Sequence, residues 1–452
     1  MHADSPPQDL AVRSVSSLRR ILSLALPIMG GMVSQNIMNL VDTAMVGSLG
    51  DDALAAVGLA GFTTFTCGAF IMGLSTGVQA TAARWLGAGR RGEIAVPLNG
   101  GLLLVLVLGI PLSVWLIFAA PSFFPLLSQD AAVASQGTHY LQARLVGLTA
   151  MGTNFVFRGY WNAVNLSAIY MRTIILMNVI NIFLNWVLIF GNLGAPALGV
   201  LGAGIGTTTA LSVGSLAYLL TAYRRARGAG FLVRRPDRAT LWTLIRLSVP
   251  AGVQHIFFAL GMTLFFWILG TIGTAELAAG HVLSNLLLFW MLLTNGFGLA
   301  AASLVGQALG AGAVDEARAW AWLVVRLAMV CVGLLALPAV LVPDAFLGLF
   351  LRDPITLDLA RLPLQLTAAT MALEVIGMVL MSAHYGAGHS RRVMVISLAL
   401  QWCFFLPLAF VLSAAFGLGL LAIWNLNIVY RLIQSAVFVW SWETGGWSQV
   451  RI

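Results

Sequence analysis

The chain alternates long apolar runs with short polar segments, and the runs are long enough to cross a bilayer. A membrane-spanning helix needs about 20 predominantly apolar residues, and membrane helices tolerate the Gly and Pro that interrupt some runs. The runs lie at roughly 21–48, 53–80, 94–119, 133–158, 168–190, 198–222, 244–271, 276–305, 317–342, 360–384, 393–415 and 418–442. This pattern predicts an all-α integral membrane protein with twelve transmembrane helices.

The second half of the chain repeats the first at a constant offset, which is the spacing from Pro27 to Pro250. The same offset relates Leu86-Gly87-Ala88-Gly89 to Leu309-Gly310-Ala311-Gly312. Each repeat holds six predicted helices, and an even number gives both repeats the same orientation. We therefore expect two homologous six-helix bundles related by a pseudo-two-fold axis along the membrane normal, an architecture typical of secondary transporters.

The repeat and the polar segments divide the chain into five parts. Residues 1–18 are polar, are expected to be disordered, and lack the apolar stretch of a signal peptide. The predicted parts are a cytoplasmic N-terminal tail 1–20, an N-terminal lobe 21–222, a cytoplasmic inter-lobe linker 223–243, a C-terminal lobe 244–442 and a cytoplasmic C-terminal tail 443–452.

Composition excludes a soluble globular protein, because 60% of the residues are hydrophobic and 9% are charged. All 24 basic residues are Arg. The Lys that a P-loop needs is therefore absent, and we expect no nucleotide site. Cys67, Cys331 and Cys403 lack the spacing of a disulfide framework or a metal site.

The Arg residues fall in alternate loops and so orient the helices. With the N-terminus inside, the cytoplasmic segments hold most of them, up to Arg451, whereas the opposite loops hold Arg352 and several Asp residues. Such loops stay in the cytoplasm, which accounts for the net charge of +8 without a nucleic-acid partner. We predict that both termini are cytoplasmic.

Two acids lie well inside predicted helices: Asp42 in the first and Glu374 in the tenth. A charged side chain at the bilayer centre costs about 2.5–3.5 kcal/mol on insertion scales, so it usually faces a cavity and marks an ion or proton path. The alternative is that either acid pairs with an Arg or His in the bundle and has a structural role.

Three polar residues of the same lobe are candidates to form a site with Asp42. Asn181 and Asn185 share one face of the fifth helix at i, i+4, and Thr207 comes early in the sixth. These hard oxygen donors suit a small alkali cation such as Na⁺, the one metal ion we consider. They equally suit hydrogen bonding to a protonated Asp42, and inter-helix polar packing also explains Asn in a bundle.

The repeat provides an internal control, because a packing role would tend to survive in both copies. The polar residues instead correspond to apolar ones at the offset: Asp42 to Phe265, Asn185 to Leu408 and Glu374 to Met151. This asymmetry favours a functional role for the acids.

His255 and His281 lie in predicted helices of the second lobe and have the side chain that titrates near neutral pH. They are further candidates, with neutral histidines hydrogen-bonded across helices as the alternative.

Together these features resemble the multidrug and toxic compound extrusion (MATE) family, in its NorM-like bacterial branch. The resemblance spans essentially the whole chain. Besides the paired Leu-Gly-Ala-Gly motifs, it is carried by Asp42-Thr43-Ala44-Met45-Val46-Gly47, Arg158-Gly159-Tyr160-Trp161-Asn162 and Asn181-Ile182-Phe183-Leu184-Asn185.

The resemblance implies an antiporter of the bacterial inner (plasma) membrane, and not an enzyme. It would export organic, often cationic compounds in exchange for inward H⁺ or Na⁺, by alternating access between the lobes. The family's N-lobe cation site maps onto Asp42, Asn181, Asn185 and Thr207, and its tenth-helix acid onto Glu374. We expect small-molecule substrates, membrane lipid as the surroundings, no cofactor besides the coupling ion, and a functional monomer.

Two alternatives have different sequence requirements. A lipid-linked oligosaccharide flippase on a related scaffold would carry more cationic charge in its cavity, whereas the membrane-embedded Arg144, Arg326, Arg361 and Arg431 are scattered. An intramembrane enzyme would need a nucleophile–base pair or metal-ligand set such as HExxH at membrane depth, and the sequence contains none.

Overall fold

The structure, a computed structural model, describes residues 7–128, 130–348, 350 and 353–450. Six long helices form its first half, and we number them α1 to α6. They are α1 Pro7–Gly47, α2 Asp51–Gly87, α3 Val96–Leu104 with the π-helical turn Val105–Gly109 and Ile110–Phe123, α4 Ala131–Val146 with Leu148–Ala163, α5 Ser167–Phe190 and α6 Gly199–Arg225.

Six more long helices form the second half, and no β-strand occurs among the described residues. They are α7 Arg238–Ile272, α8 Thr274–Gly310, α9 Val314–Leu341, α10 Pro354–Gly386, α11 Ser390–Leu398 with the π-helical turn Ala399–Phe405 and Leu406–Ala414, and α12 Leu420–Glu443. Short helical turns occur at Phe124–Leu127, Asn192–Gly194, Arg227–Ala229, Pro343–Leu347 and Gly446–Gln449.

The twelve predicted apolar runs coincide with α1 to α12. Eleven of these are each long and apolar enough to cross a membrane, counted over the described residues. The twelfth, α4, is interrupted at Gly147, whose N–H bonds to the Arg144 carbonyl at 3.0 Å. The all-α fold with two six-helix halves is confirmed.

The start of α1 differs from the prediction. Residues 7–18, which we expected to be disordered, belong to the helix. Pro7 is tolerated in a first helical turn, and neither Pro nor Gly interrupts the chain from residue 8 to residue 26. The predicted topological roles of Arg352 and Arg451 lie outside the described residues.

The Arg-bearing connections α2–α3, α6–α7 and α10–α11 lie at one end of the bundle, which we call the basic face. Side chains that cross between the lobes lie toward this face. Arg84 Nη2 donates to the Ala387 carbonyl at 3.1 Å, and Gln79 Nε2 donates to the Leu299 carbonyl at 2.9 Å. Within the described chain, the side-chain hydrogen bonds between the lobes are all in this half of the molecule, so the lobes are joined there.

The first halves of α1 and α7 each pack in the hydrophobic core of the opposite lobe. Ile21 and Leu24 of α1 are buried in the core of the C-terminal lobe, together with residues of α8 to α12. Conversely, Leu244 of α7 is buried in the core of the N-terminal lobe. Pro27 and Pro250 lie near the points where these helices pass from one lobe to the other, so the packing units differ from the sequence repeats.

Glycines allow the close approach that this exchange requires. A Cβ on Gly73 of α2 would collide with the Ser248 carbonyl of α7. At the equivalent position of the second repeat, a Cβ on Gly296 of α8 would collide with Met29 of α1. Small residues at helix crossings let membrane helices approach closely. Each lobe's second helix therefore packs on the first helix of the other lobe.

The inter-lobe linker is docked on the N-terminal lobe. Phe231 is fully buried in that lobe's core. The Asn99 side chain donates to the Gly230 carbonyl at 2.9 Å and accepts from the Leu232 N–H at 3.1 Å. Glu93 pairs with Arg90 and Arg234, which hold the pKa of its carboxyl below the ordinary value. Flexibility between the lobes therefore does not come from this linker.

Candidate functional site

Asp42 lies on α1, one and a half turns before the helix ends at Gly47. Its side chain is half-buried and accepts a hydrogen bond from Asn185 Nδ2 at 2.8 Å. Asn185 itself is fully buried on α5. The structure thus brings together the Asp42 carboxylate and the Asn185 amide, which the sequence analysis assigned to one site.

The network continues through the two other predicted residues. Asn185 Nδ2 also approaches Asn181 Oδ1 at 3.3 Å, and Asn181 Nδ2 donates to Thr207 Oγ1 at 3.0 Å. The Thr207 hydroxyl donates to the Ala203 carbonyl at 2.9 Å. Asp42, Asn181, Asn185 and Thr207 therefore form one connected group, which we call the Asp42 cluster.

The sequence around these residues explains why α5 and α6 approach so closely. Asn181 and Asn185 are one turn apart and face the same side of α5. A Cβ on Gly202 would meet the Leu188 backbone, and a Cβ on Gly206 would meet the Asn185 side chain. Glycines at these two positions of α6 let the amides lie between the helices.

Arg144 and Tyr140 of α4 also belong to this region, and sequence reasoning did not assign them to it. The positive charge of Arg144 acts on Asp42, and Tyr140 lies within electrostatic reach of both. Arg144 Nε and Nη1 are buried without a hydrogen-bond partner. The i, i+4 spacing placed Tyr140 and Arg144 on one face of α4, but only the tertiary structure shows that both residues lie within electrostatic reach of Asp42.

Glu374 of α10 lies in the other lobe and is 3% exposed. Its Oε2 is 3.9 Å from Arg431 Nε of α12, and its Oε1 accepts from the Thr370 hydroxyl at 3.4 Å. The structure therefore pairs this acid with an arginine, as the structural alternative expected. The long separation makes the pair a weak one.

The two histidines lie apart from the Asp42 hydrogen-bond network. His281, near the start of α8, is exposed and stacks on Phe266 with ring centroids 4.2 Å apart. His255 of α7 is half-buried and lies within electrostatic reach of Arg158. Their predicted titration remains a prediction.

Comparisons with known proteins agree with this architecture. The family model MatE matches residues 27–187 and 250–428, and the two matches start at Pro27 and Pro250, the offset that relates the repeats. A probable multidrug resistance protein NorM of Thermotoga maritima is 27% identical, over 95% of this chain and 93% of its own length. The protein of the same name in Pseudomonas aeruginosa is 30% identical, over 91% of this chain and 86% of its own.

A similar fold is found in a solved multidrug resistance MATE family transporter of the MOP superfamily in an outward-facing conformation. Its TM-score is 0.88 at 21% identity, covering 96% of this chain and 97% of that chain. The family model covers well over half of the chain and matches both repeats. This chain is therefore a member of the MATE family, similar to its NorM proteins.

Proposed function

We propose that the protein is a secondary antiporter that exports organic, drug-like compounds in exchange for inward H⁺ or Na⁺. The observation that carries this proposal is the Asp42 cluster: a carboxylate held by a buried amide inside an apolar helix bundle. An acid in such a position is costly and is usually retained for transport. The names of the NorM relatives support multidrug resistance as the physiological setting.

Asp42 performs the exchange through its charge. In the ionised state, the carboxylate favours retention of an organic cation in the space between the lobes. Uptake of H⁺ or Na⁺ from outside neutralises that charge and disfavours the bound cation, which leaves outward. Release of the coupling ion on the cytoplasmic side restores the carboxylate for the next cycle. Energy comes from the ion gradient.

The closed basic face supports alternating access. The lobes are joined there by Gln79, Arg84 and Gln307, and the cytoplasmic side is expected at this face from the Arg-rich loops. We therefore assign the structure to an outward-facing state of a bacterial inner-membrane protein with cytoplasmic termini. One chain holds both lobes and the complete Asp42 cluster, so we infer that a monomer is the functional unit.

The flippase alternative is disfavoured because two of the four arginines named above already have acidic partners. Arg431 is paired with Glu374, and Arg361 Nη2 is 2.5 Å from Asp344 Oδ2. A pyrophosphate site would need such guanidinium groups unpaired and facing one cavity. Both are already balanced by acids.

The proposal is tested by Asp42→Asn in everted membrane vesicles energised by respiration. We expect loss of gradient-driven drug accumulation, because the variant cannot change charge. Asp52→Asn, an exposed acid in the first turn of α2, is the matched control and should transport normally. Undiminished transport by Asp42→Asn would overturn the assignment.

A further inference from the structure

We propose that Arg158 forms, with Tyr170 and His255, a site that binds the carboxylate of transported compounds at the closed end of the space between the lobes. This inference rests on the proposed export of organic compounds and adds a substrate class to it, namely drug-like cations that also carry a carboxylate. The site is distinct from the Asp42 cluster and lies nearer the basic face.

The first observation is that Arg158 carries a positive charge without an acidic partner. It lies in the second half of α4, five residues before the helix ends at Ala163. Over the described ranges of the chain, no ion pair involves it. The groups within its electrostatic reach are Tyr170, Tyr218 and His255. An unbalanced charge inside a membrane-embedded helix bundle is costly and usually marks a functional site.

The second observation is the place of Arg158 between the two lobes. The Tyr170 hydroxyl of α5 accepts a hydrogen bond from its guanidinium, and an added Cβ on Gly31 of α1 would collide with the Tyr170 ring. His255 comes from the part of α7 beyond Pro250, which packs with the C-terminal lobe. Arg158 and His255 are both half-buried. Because their neighbours come from both lobes, the exposed parts of these side chains face the space between the lobes.

The third observation is the depth of this site. Tyr170 lies in the first turn of α5, just after the connection whose Asn165 side chain accepts from Gln307 Nε2 at 2.9 Å. That contact joins the lobes at the basic face. On α1, Asp42 lies about three turns beyond Gly31, or about 16 Å along the helix. The arginine and the Asp42 carboxylate are therefore too far apart to form an ion pair.

The hydrogen-bond donors of the site match a carboxylate. The Phe155 ring covers one face of the guanidinium, with Arg158 Cζ 4.5 Å from the ring centroid, so the N–H edge is left for a ligand. Arg158 Nε has no hydrogen-bond partner. The edge of a guanidinium is a planar fork of donors that fits the two oxygens of a carboxylate. The Tyr170 hydroxyl and a ring N–H of His255 can also donate. One guanidinium suits a single carboxylate, whereas a pyrophosphate would need several.

The test is uptake of two dyes with the same xanthylium cation into everted vesicles: rhodamine B, which has a free carboxylate, and rhodamine B ethyl ester, in which the carboxylate is masked. The wild type should have the lower KM for rhodamine B. Arg158→Gln should raise the KM for rhodamine B at least about tenfold and leave the KM for the ester unchanged. Arg172→Gln, which changes an exposed arginine of α5, is the matched control and should transport both dyes like the wild type.

If Arg158→Gln does not fold, Tyr170→Phe removes one donor, keeps the ring that packs on Gly31, and should raise the KM for rhodamine B alone. Three results would overturn the inference: equal KM of the wild type for both dyes, no uptake of rhodamine B, or equal loss of both dyes in a folded Arg158→Gln protein. Asp42→Asn tests the proposed function separately, because normal uptake of both dyes by that variant would reject the antiport scheme whatever the dye preference.

Discussion

Arg84 and Gln307 occupy equivalent positions in the two repeats, and each reaches the end of the fourth helix of the opposite lobe. Arg84 Nη2 donates to the Ala387 carbonyl at 3.1 Å, just after α10, and Gln307 Nε2 donates to the Ala163 carbonyl at 2.9 Å, at the end of α4. The repeats differ in side chain but form the same bridge. The basic face is thus closed by a pseudo-symmetric pair of contacts.

The paired Leu-Gly-Ala-Gly motifs also pack against the opposite lobe at the closed basic face. A Cβ on Gly87 would collide with the Gln307 carbonyl, and a Cβ on Gly310 with the Arg84 carbonyl. Gly89 and Gly312, the second glycines, have φ of 72° and 75°, which favours glycine in the turns that follow. The motif is repeated because the two copies contact each other.

Gly310→Leu should open the basic face, because the added side chain cannot fit against the Arg84 backbone. Spin labels at the exposed positions Arg91 and Asp315 report the separation of the lobes, and we expect the distance distribution to shift to longer values. Gly92→Leu is the control, since a Cβ there meets nothing within 4 Å. An unchanged distribution in Gly310→Leu would show that this contact does not hold the lobes together.

The exchange of half-helices predicts which disulfide crosslinks permit transport. In a background without the native cysteines, a crosslink between positions 100 and 241 joins α3 to the part of α7 packed on the N-terminal lobe. We expect oxidation to leave transport intact, because these segments move together. A crosslink between positions 79 and 303, whose side chains are hydrogen-bonded at 3.0 Å, joins the two lobes and should stop transport until it is reduced. Loss of transport with the first pair would mean that α7 moves as one rigid helix.

The Glu374–Arg431 pair predicts a compensating double substitution. Glu374→Gln removes the charge opposite Arg431 and should lower the thermal stability only modestly, because the two groups are 3.9 Å apart. Adding Arg431→Gln should recover most of the thermal stability. If Glu374 also contributes to substrate binding, drug transport stays impaired in the double variant. Recovery of transport together with stability would show that the role of Glu374 is structural.

The apolar runs and the repeat predicted the twelve helices, since both depend on local composition. They also selected Asp42, Asn181, Asn185 and Thr207, because polar residues are rare at membrane depth. The sequence did not reveal that Arg144 lies near Asp42, or that the first halves of α1 and α7 pack on opposite lobes. Both depend on which helix faces meet. The bridge from Arg84 and Gln307 was missed for the same reason, because each side chain reaches a helix of the opposite lobe.

The central claim is that Asp42 couples export to an ion gradient, and proteoliposomes measure this most directly. An imposed pH gradient is followed with a pH-sensitive dye while substrate is added, with and without Na⁺. The account predicts that substrate accelerates collapse of the gradient in wild-type vesicles, and that Asp42→Asn vesicles show only the background leak. Substrate-triggered proton movement of equal size in Asp42→Asn vesicles would contradict it.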